Sequence, residues 1–232
     1  MAITIYWSFN DQSWLRAKTP EPIYKNFAQD PKNKKHSLVL CPATKKYMQN
    51  IFSLKSIFSY DFKIDQTKGQ VTASLYDQGF FENHVNIRSQ EDKLFSFMQR
   101  FCFYTEEKSL LISAGISPFL EDNDITKRCI VIPGTFDIGK WFRQLDFAFY
   151  LKNDYDEFKI KEDEIYQYIK FHTDEKIIFK QFRVTPKLQE LMNDIDWAKD
   201  FRIPKLRSLE GYYSMMKHKK MIIKEIKNNL VE

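Results

Sequence analysis

The feature that most constrains the fold is a long stretch in which buried-type and polar side chains alternate. Between residues 56 and 184 the alternation recurs in short runs separated by turn residues, as where Phe95 and Phe97 alternate with Ser96 and Met98. A period of two is typical of strands with one buried face. Because no helical pattern in this stretch is long enough for a parallel crossover, we expect an antiparallel β-sandwich or a jelly-roll core.

The N-terminal region combines strands with one short helix. The β-branched and aromatic run 3–7 and the apolar run 37–41 predict strands. Pro42 occupies a position typical of a first helical residue, and apolar residues follow it at helical spacing over 44–52. We therefore expect one short helix within a single β-rich domain over residues 1–185.

The last part of the chain returns to a helical period. Two helices are predicted, over residues 187–199 and 208–230, after Pro186 and Pro204 respectively. They form a helical C-terminal extension, residues 186–232, which packs on the β-rich domain or on a partner. The predicted class is mainly β, or α+β overall.

Composition excludes several classes of protein. With 43% hydrophobic, 16% aromatic and 29% charged residues, the chain is neither intrinsically disordered nor collagen-like. No uncharged apolar run reaches the length of a membrane span and no apolar leader is present, so we expect a protein that is soluble, has no membrane contact and is not secreted. Cys41, Cys102 and Cys129 show no paired spacing, which favours reduced thiols.

Large apolar residues outside the alternating stretch are the candidates for partner contact. In the last predicted helix, four of these residues are spaced seven positions apart, and two more lie between them. These residues are Leu209, Tyr212, Met216, Ile223, Ile226 and Leu230. Trp7 and Trp14 mark a second candidate surface in the N-terminal arm. Such residues must be covered, and the stripe of the last helix is covered either by the protein's own sheet or by a subunit contact. As the function, we expect binding of a protein partner or self-association through these residues.

Charge supports a weaker alternative, a nucleic-acid partner. The net charge is +5, and the segment 205–232 holds seven basic and three acidic residues, so it carries most of the surplus. Lys217, Lys219 and Lys220, interleaved with tyrosines, are the residues that would contact phosphates. A solvated helix face of mixed charge explains the same pattern.

One spacing suggests metal chemistry. His172 and Asp174 form an HxD pair, which on a jelly-roll strand can hold non-haem Fe(II) when a further histidine completes the triad. His218 is the only histidine downstream, and His84 would serve only in an unusual chain order. The alternative function is therefore an Fe(II) oxygenase; otherwise no cofactor and no catalytic residue is expected.

The spacing of two glycines and a lysine is similar to that of a phosphate-binding loop. Gly134, Gly139 and Lys140 match GxxxxGK, but Trp141 stands where a hydroxyl residue must bind magnesium. A strand pattern follows where a helix is required. We interpret the segment as two turns.

The stretch 132–143, with Phe147 and the segment 168–172, resembles uncharacterised proteins of tailed phages that infect marine bacteria. It is also distantly similar to a bacterial domain family of unknown function. The similarity covers roughly residues 95–185 and implies a phage origin and a β-sandwich core.

The expected function is non-enzymatic. We expect a phage-encoded protein that acts through protein–protein contacts, as a minor virion or assembly component or as a host-directed accessory protein. Its expected location is the host cytoplasm during infection, or the virion.

Overall fold

A computed structural model describes most of the chain. The described residues are 2–9, 14–33, 35–65, 70–73, 83–89, 91–98, 100–197, 208–215 and 218–231. Strands account for 40% and helices for 26%, so the β-rich α+β class is confirmed. The described strands form several sheets and no closed barrel.

The elements are numbered in chain order. The strands are β1 (Ala2–Phe9), β2 (Glu21–Pro22), β3 (Ile51–Lys55), β4 (Tyr60–Asp65), β5 (Gln70–Ala73), β6 (Val85–Ser89), β7 (Leu94–Phe97), β8 (Phe101–Thr105), β9 (Leu111–Ile116), β10 (Cys129–Ile132), β11 (Gly134–Asp137), β12 (Phe147–Leu151), β13 (Glu157–Ile160), β14 (Ile165–Phe171) and β15 (Lys176–Gln181). The helices are α1 (Ile23–Gln29), α2 (Ser37–Leu40), α3 (Pro42–Met48), α4 (Asp124–Arg128), α5 (Pro186–Trp197), α6 (Leu209–Met215) and α7 (Lys219–Asn228).

The described strands form four sheets. Their strand orders are β15-β1-β8, β10-β12-β7-β6, β11-β9-β14-β3-β2 and β13-β4-β5. The described pairings are antiparallel except that of β1 with β15, which run parallel with Ala2 opposite Lys176. At this pair the fold differs from the antiparallel expectation, because the chain leaves β14 at Phe171 and crosses to the first sheet instead of turning back.

One apolar core joins these sheets, and aromatic rings form much of it. Phe97 of β7 lies 5.7 Å from Phe158 of β13, measured between ring centroids. Phe52 of β3 meets Phe179 of β15 edge-on at 4.9 Å. Each of these contacts joins strands of different sheets. Because buried rings remove a large apolar area from water, they hold the small sheets together.

A bulge at Gly115 brings β9 close to β10. Gly115 has φ of +71°, a conformation that side-chain-bearing residues rarely adopt. A Cβ at this position would lie 2.9 Å from the carbonyl oxygen of Ile132. At a bulge, one backbone amide has no partner on the neighbouring strand. Here the Gly115 amide donates instead to the side-chain oxygen of Gln167 at 2.7 Å.

The N-terminal region differs from its prediction at one element. The predicted strand 37–41 is the helix α2, whose first turn is capped by His36. Leu38 and Leu40 of this helix are exposed, so the apolar run has no buried face that would hold it in a sheet. The predicted short helix is present as α3, and it ends earlier than expected because β3 begins at Ile51.

The C-terminal helices α5 and α7 cover the outer side of the sheet β15-β1-β8. Tyr6 and Tyr104 lie opposite each other on β1 and β8 and contribute to a second apolar cluster. From the helices, Leu188 of α5 and Ile222 and Ile226 of α7 are buried in the same cluster. These helices therefore pack on the chain's own sheet.

The predicted helix 208–230 is two helices. It is interrupted at His218, which has φ of −112° and ψ of 23°. Tyr213 of α6 packs against the main core, whereas Ile222 of α7 packs in the second cluster. Because residues nine positions apart face opposite sides of one straight helix, a break is required for both contacts.

Candidate contact surface

Two of the predicted contact residues are part of the protein's own core. Trp7 is buried and stacks on Phe101 with centroids 6.3 Å apart. Ile226 is fully buried in the second cluster. Their prediction as partner contacts is wrong, because β1 is the central strand of its sheet and α7 turns Ile226 toward that sheet.

The other predicted contact residues differ in exposure. Trp14 and Ile223 are partly buried, against the main core and the second cluster respectively. Leu209 and Leu230 are exposed and remain predicted contacts. Met216 and the side chain of Tyr212 lie outside the described residues.

The predicted basic face does not form around Lys219. Its ammonium donates to the backbone carbonyls of Glu107 and Gly139, and the second of these bonds is 2.9 Å long. Lys220 is exposed, and Lys217 lies outside the described residues. The Lys219 ammonium is thus bound within the chain. Of the three predicted lysines, Lys220 is the described one whose side chain is exposed to a nucleic acid.

His172 and Asp174 of the predicted Fe(II) site line one cavity, but neither candidate for the third ligand, His84 or His218, lines it. The Nε2 atom of His172 lies 2.7 Å from the Ser113 hydroxyl, and the Asp174 carboxylate pairs with Lys46 on the surface. Burial, and then Lys170, lower the pKa of His172. His84 is buried against Phe58, and His218 is exposed at the start of α7. Within the described residues, no three His, Cys, Asp or Glu side chains form a group that fits a metal.

Asp137 explains why the GxxxxGK segment does not form a phosphate-binding loop. Its buried carboxylate accepts from the amides of Leu110 and Gly139, each at 2.9 Å. The Lys140 ammonium lies 3.0 Å from the same carboxylate. The amide and the ammonium that a phosphate would need are therefore bound within the chain.

Two of the three cysteines are buried, as their strand positions predict. Cys102 is fully buried in the second cluster, and burial raises the pKa of its thiol to about 12. Cys129 is buried in β10. A thiol with a raised pKa is a poor nucleophile at neutral pH, so these two residues pack as small apolar groups.

Two neighbouring strands expose apolar side chains on the side of their sheet that faces away from the core. Ile130 and Ile132 lie on this side of β10, and Tyr150 of β12 is directly opposite Ile130. Their exposed fractions are 57%, 38% and 38%, respectively. Ala148 is opposite Ile132 and completes the patch. We call these four residues the outer face.

Our sequence analysis missed the outer face, although a signal for it was present. Residues Cys129–Ile132 form an unbroken apolar run. Successive side chains of a strand point to opposite sides of the sheet, so such a run places apolar groups on both sides. The outer side of β10 was therefore predictable as apolar.

Basic groups border the outer face. Arg88 donates to the Ser96 hydroxyl of the neighbouring strand β7 at 3.1 Å and lies 3.8 Å from the Asp146 carboxylate. Lys152 directly follows the end of β12, two positions after Tyr150. In the described part of the chain Lys152 makes no ion pair, and its ammonium donates to a backbone carbonyl at 2.7 Å.

Comparison with known proteins adds no assignment. No family model matches this chain, and no curated protein matches it. Among the described residues, no helix is long and apolar enough to cross a membrane.

Proposed function

We propose that this chain is a non-enzymatic phage protein that acts by binding another protein through its outer face. The observation that carries the proposal is the apolar surface of Ile130, Ile132 and Tyr150, on the side of the sheet that faces away from the core. The role is that of a minor virion or assembly component, or of a host-directed accessory protein. The resemblance of residues 95–185 to tailed-phage proteins supports the phage origin.

The energetics favour a covered outer face. Ile130 is 57% exposed although it sits on a regular strand. Burying an isoleucine side chain completely contributes about 1.5 to 3 kcal/mol, and partial exposure scales this down. Two isoleucines and a tyrosine side by side therefore form an apolar group of the kind found at the centre of protein interfaces.

A basic residue beside the outer face indicates the charge that the partner's surface carries. Lys152 lies at the border of the outer face and makes no ion pair among the described residues. A matching protein surface has apolar side chains at its centre and a carboxylate that meets Lys152. Such a border charge sets orientation and association rate more than affinity.

The test is quantitative mass spectrometry of gradient-purified particles from the encoding virus, compared with its capsid protein. The wild-type protein is expected at a fixed ratio to capsid protein. Ile130→Lys is expected to lower that ratio at least tenfold, because it places a charge at the contact centre. Ile178→Lys is the matched control, since Ile178 is also an exposed strand isoleucine but lies on β15 in another sheet.

Two results separate the possible roles. Absence of the wild-type protein from particles removes the virion role and leaves the host-directed one, for which reduced phage yield with Ile130→Lys is the readout. An Ile130→Lys virus that matches wild type in both particle content and yield contradicts the proposed function.

A further inference from the structure

A cavity of about 370 Å³ lies where the β-rich body meets the C-terminal helices. Tyr104 of β8, Lys108 of the following turn and Lys140 of the turn after β11 line one part of it. Tyr213 of α6 and Lys219 of α7 line the rest. Its volume is in the range of small-molecule sites in proteins.

Tyr104 is a lining residue of this cavity, and its side chain is buried. Tyr104 is 0% exposed, and its hydroxyl makes no hydrogen bond with any described residue. Buried hydroxyls are almost always hydrogen-bonded, because an unmet one costs free energy. Burial, and then the charge of Asp137, raise the pKa of Tyr104, so the phenol stays protonated and able to donate.

The cavity carries more positive than negative charge. Lys108 and Lys219 line the cavity and make no ion pair within the described part of the chain. The acidic residue at the wall, Glu106, is already bound by Lys227 at 2.7 Å and by the Tyr6 hydroxyl at 2.6 Å. An anion in the cavity would therefore meet two ammonium groups without a carboxylate partner, of which that of Lys219 also donates to two backbone carbonyls.

A helix N-terminus and a second tyrosine hydroxyl also favour binding of an anion in this cavity. Lys219 is the first residue of α7, so the positive end of that helix lies at the wall of the cavity. The Tyr213 hydroxyl accepts a hydrogen bond from the Asp137 amide at 2.8 Å and keeps its own proton to donate.

We propose that this cavity binds a phosphate group, either inorganic phosphate or the phosphate of a small monoester. The donors come from β8, the turn after it, α6 and α7 and so approach from different directions, which fits a tetrahedral oxyanion better than a planar carboxylate. The bound phosphate accepts a hydrogen bond from the Tyr104 hydroxyl and one from the Lys219 ammonium, whose other two N–H groups meet the carbonyls of Glu107 and Gly139. The site is separate from the outer face and does not depend on it.

The test is isothermal titration calorimetry of the full chain with inorganic phosphate, ribose 5-phosphate and acetate at constant ionic strength. Phosphate or the monoester is expected to bind with one-to-one stoichiometry, and the tighter of the two identifies the source of the phosphate group. Tyr104→Phe is expected to weaken binding about tenfold, because it removes one hydrogen bond to a charged group. Since the hydroxyl lacks a described partner, the same change should leave thermal stability unchanged or higher.

Lysine variants complete the test. Lys219→Gln and Lys108→Gln are expected to weaken binding, and Lys108→Gln keeps the test valid if the first variant fails to fold, because Lys108 is exposed. Lys220→Gln is the matched control, an exposed lysine next to Lys219 that does not line the cavity. Absence of phosphate binding, equal binding of acetate, or equal losses with Lys220→Gln and Lys219→Gln would each overturn the proposal.

Discussion

Asp137 is the buried carboxylate that holds two turns together. It accepts hydrogen bonds from the Ser109 hydroxyl and the Leu110 amide of one turn and from the Gly139 amide of the other. The Lys140 ammonium lies 3.0 Å away. Burial has the largest single effect on the Asp137 pKa and raises it, but these donors together outweigh burial, so the pKa is lower than usual. The ionised form is therefore the one that stabilises the fold.

Asp137→Asn is expected to lower the free energy of unfolding by about 2 to 4 kcal/mol at pH 7, because an amide cannot accept from all the same donors. The carboxylate contributes its stability above the unfolded-state pKa, near 3.8, and loses it as the pH falls through the lower native pKa. The difference between wild type and variant should therefore narrow below about pH 4. Urea unfolding at stepwise lower pH measures it.

Asp174→Asn is the control for this change. The Asp174 carboxylate is exposed and pairs with Lys46 on the surface, so its loss should hardly alter stability at pH 7. A gap between wild type and Asp137→Asn that widens in acid would show that the buried carboxylate is protonated in the native state, contrary to the hydrogen bonds that it accepts.

At the scale of elements, two isoleucines one turn apart attach α7 to its sheet. Ile222→Ala is expected to lower the free energy of unfolding by about 2 to 4 kcal/mol, because it leaves a cavity in the second cluster. The loss should not depend on protein concentration, since the contact is within one chain. Lys220→Ala, on the exposed side of the same helix, should change little. Denaturant unfolding at two protein concentrations checks both; a concentration-dependent loss would place Ile222 at a subunit interface.

Periodicity in the sequence predicted where strands and helices lie better than it predicted which side of a helix is buried. The alternation of Phe95 and Phe97 correctly indicated a strand, because side-chain direction in a strand is a local property. The pattern counted along the last predicted helix selected Leu209 and Leu230, which are exposed, as well as Ile223 and Ile226, which are partly and fully buried. It missed Ile222, which is fully buried. The interruption at His218 resets the phase of the helix, so a repeat counted across it does not follow a single side of both helices.

At the scale of the whole molecule, the sites depend on contacts that no local pattern encodes. The cavity brings together Tyr104, Lys140, Tyr213 and Lys219, which belong to four separate segments. Each of these residues alone looks like an ordinary surface or core residue in the sequence. The class of fold was therefore predictable, whereas the sheet partners and the cavity were not, because they follow from pairings such as that of Ala2 with Lys176.

The parallel pairing of β1 with β15 makes the N-terminal strand the central strand of its sheet, so we expect it to resist local unfolding. Amides of β1, which lies between β8 and β15, should exchange with solvent only through global unfolding. Amides of α2, a single turn with exposed Leu38 and Leu40, should exchange through local opening and many times faster. Native-state hydrogen exchange read by mass spectrometry compares the two segments. Exchange in β1 as fast as in α2 would mean that β1 is a loosely held edge, because a strand paired on both sides cannot open alone.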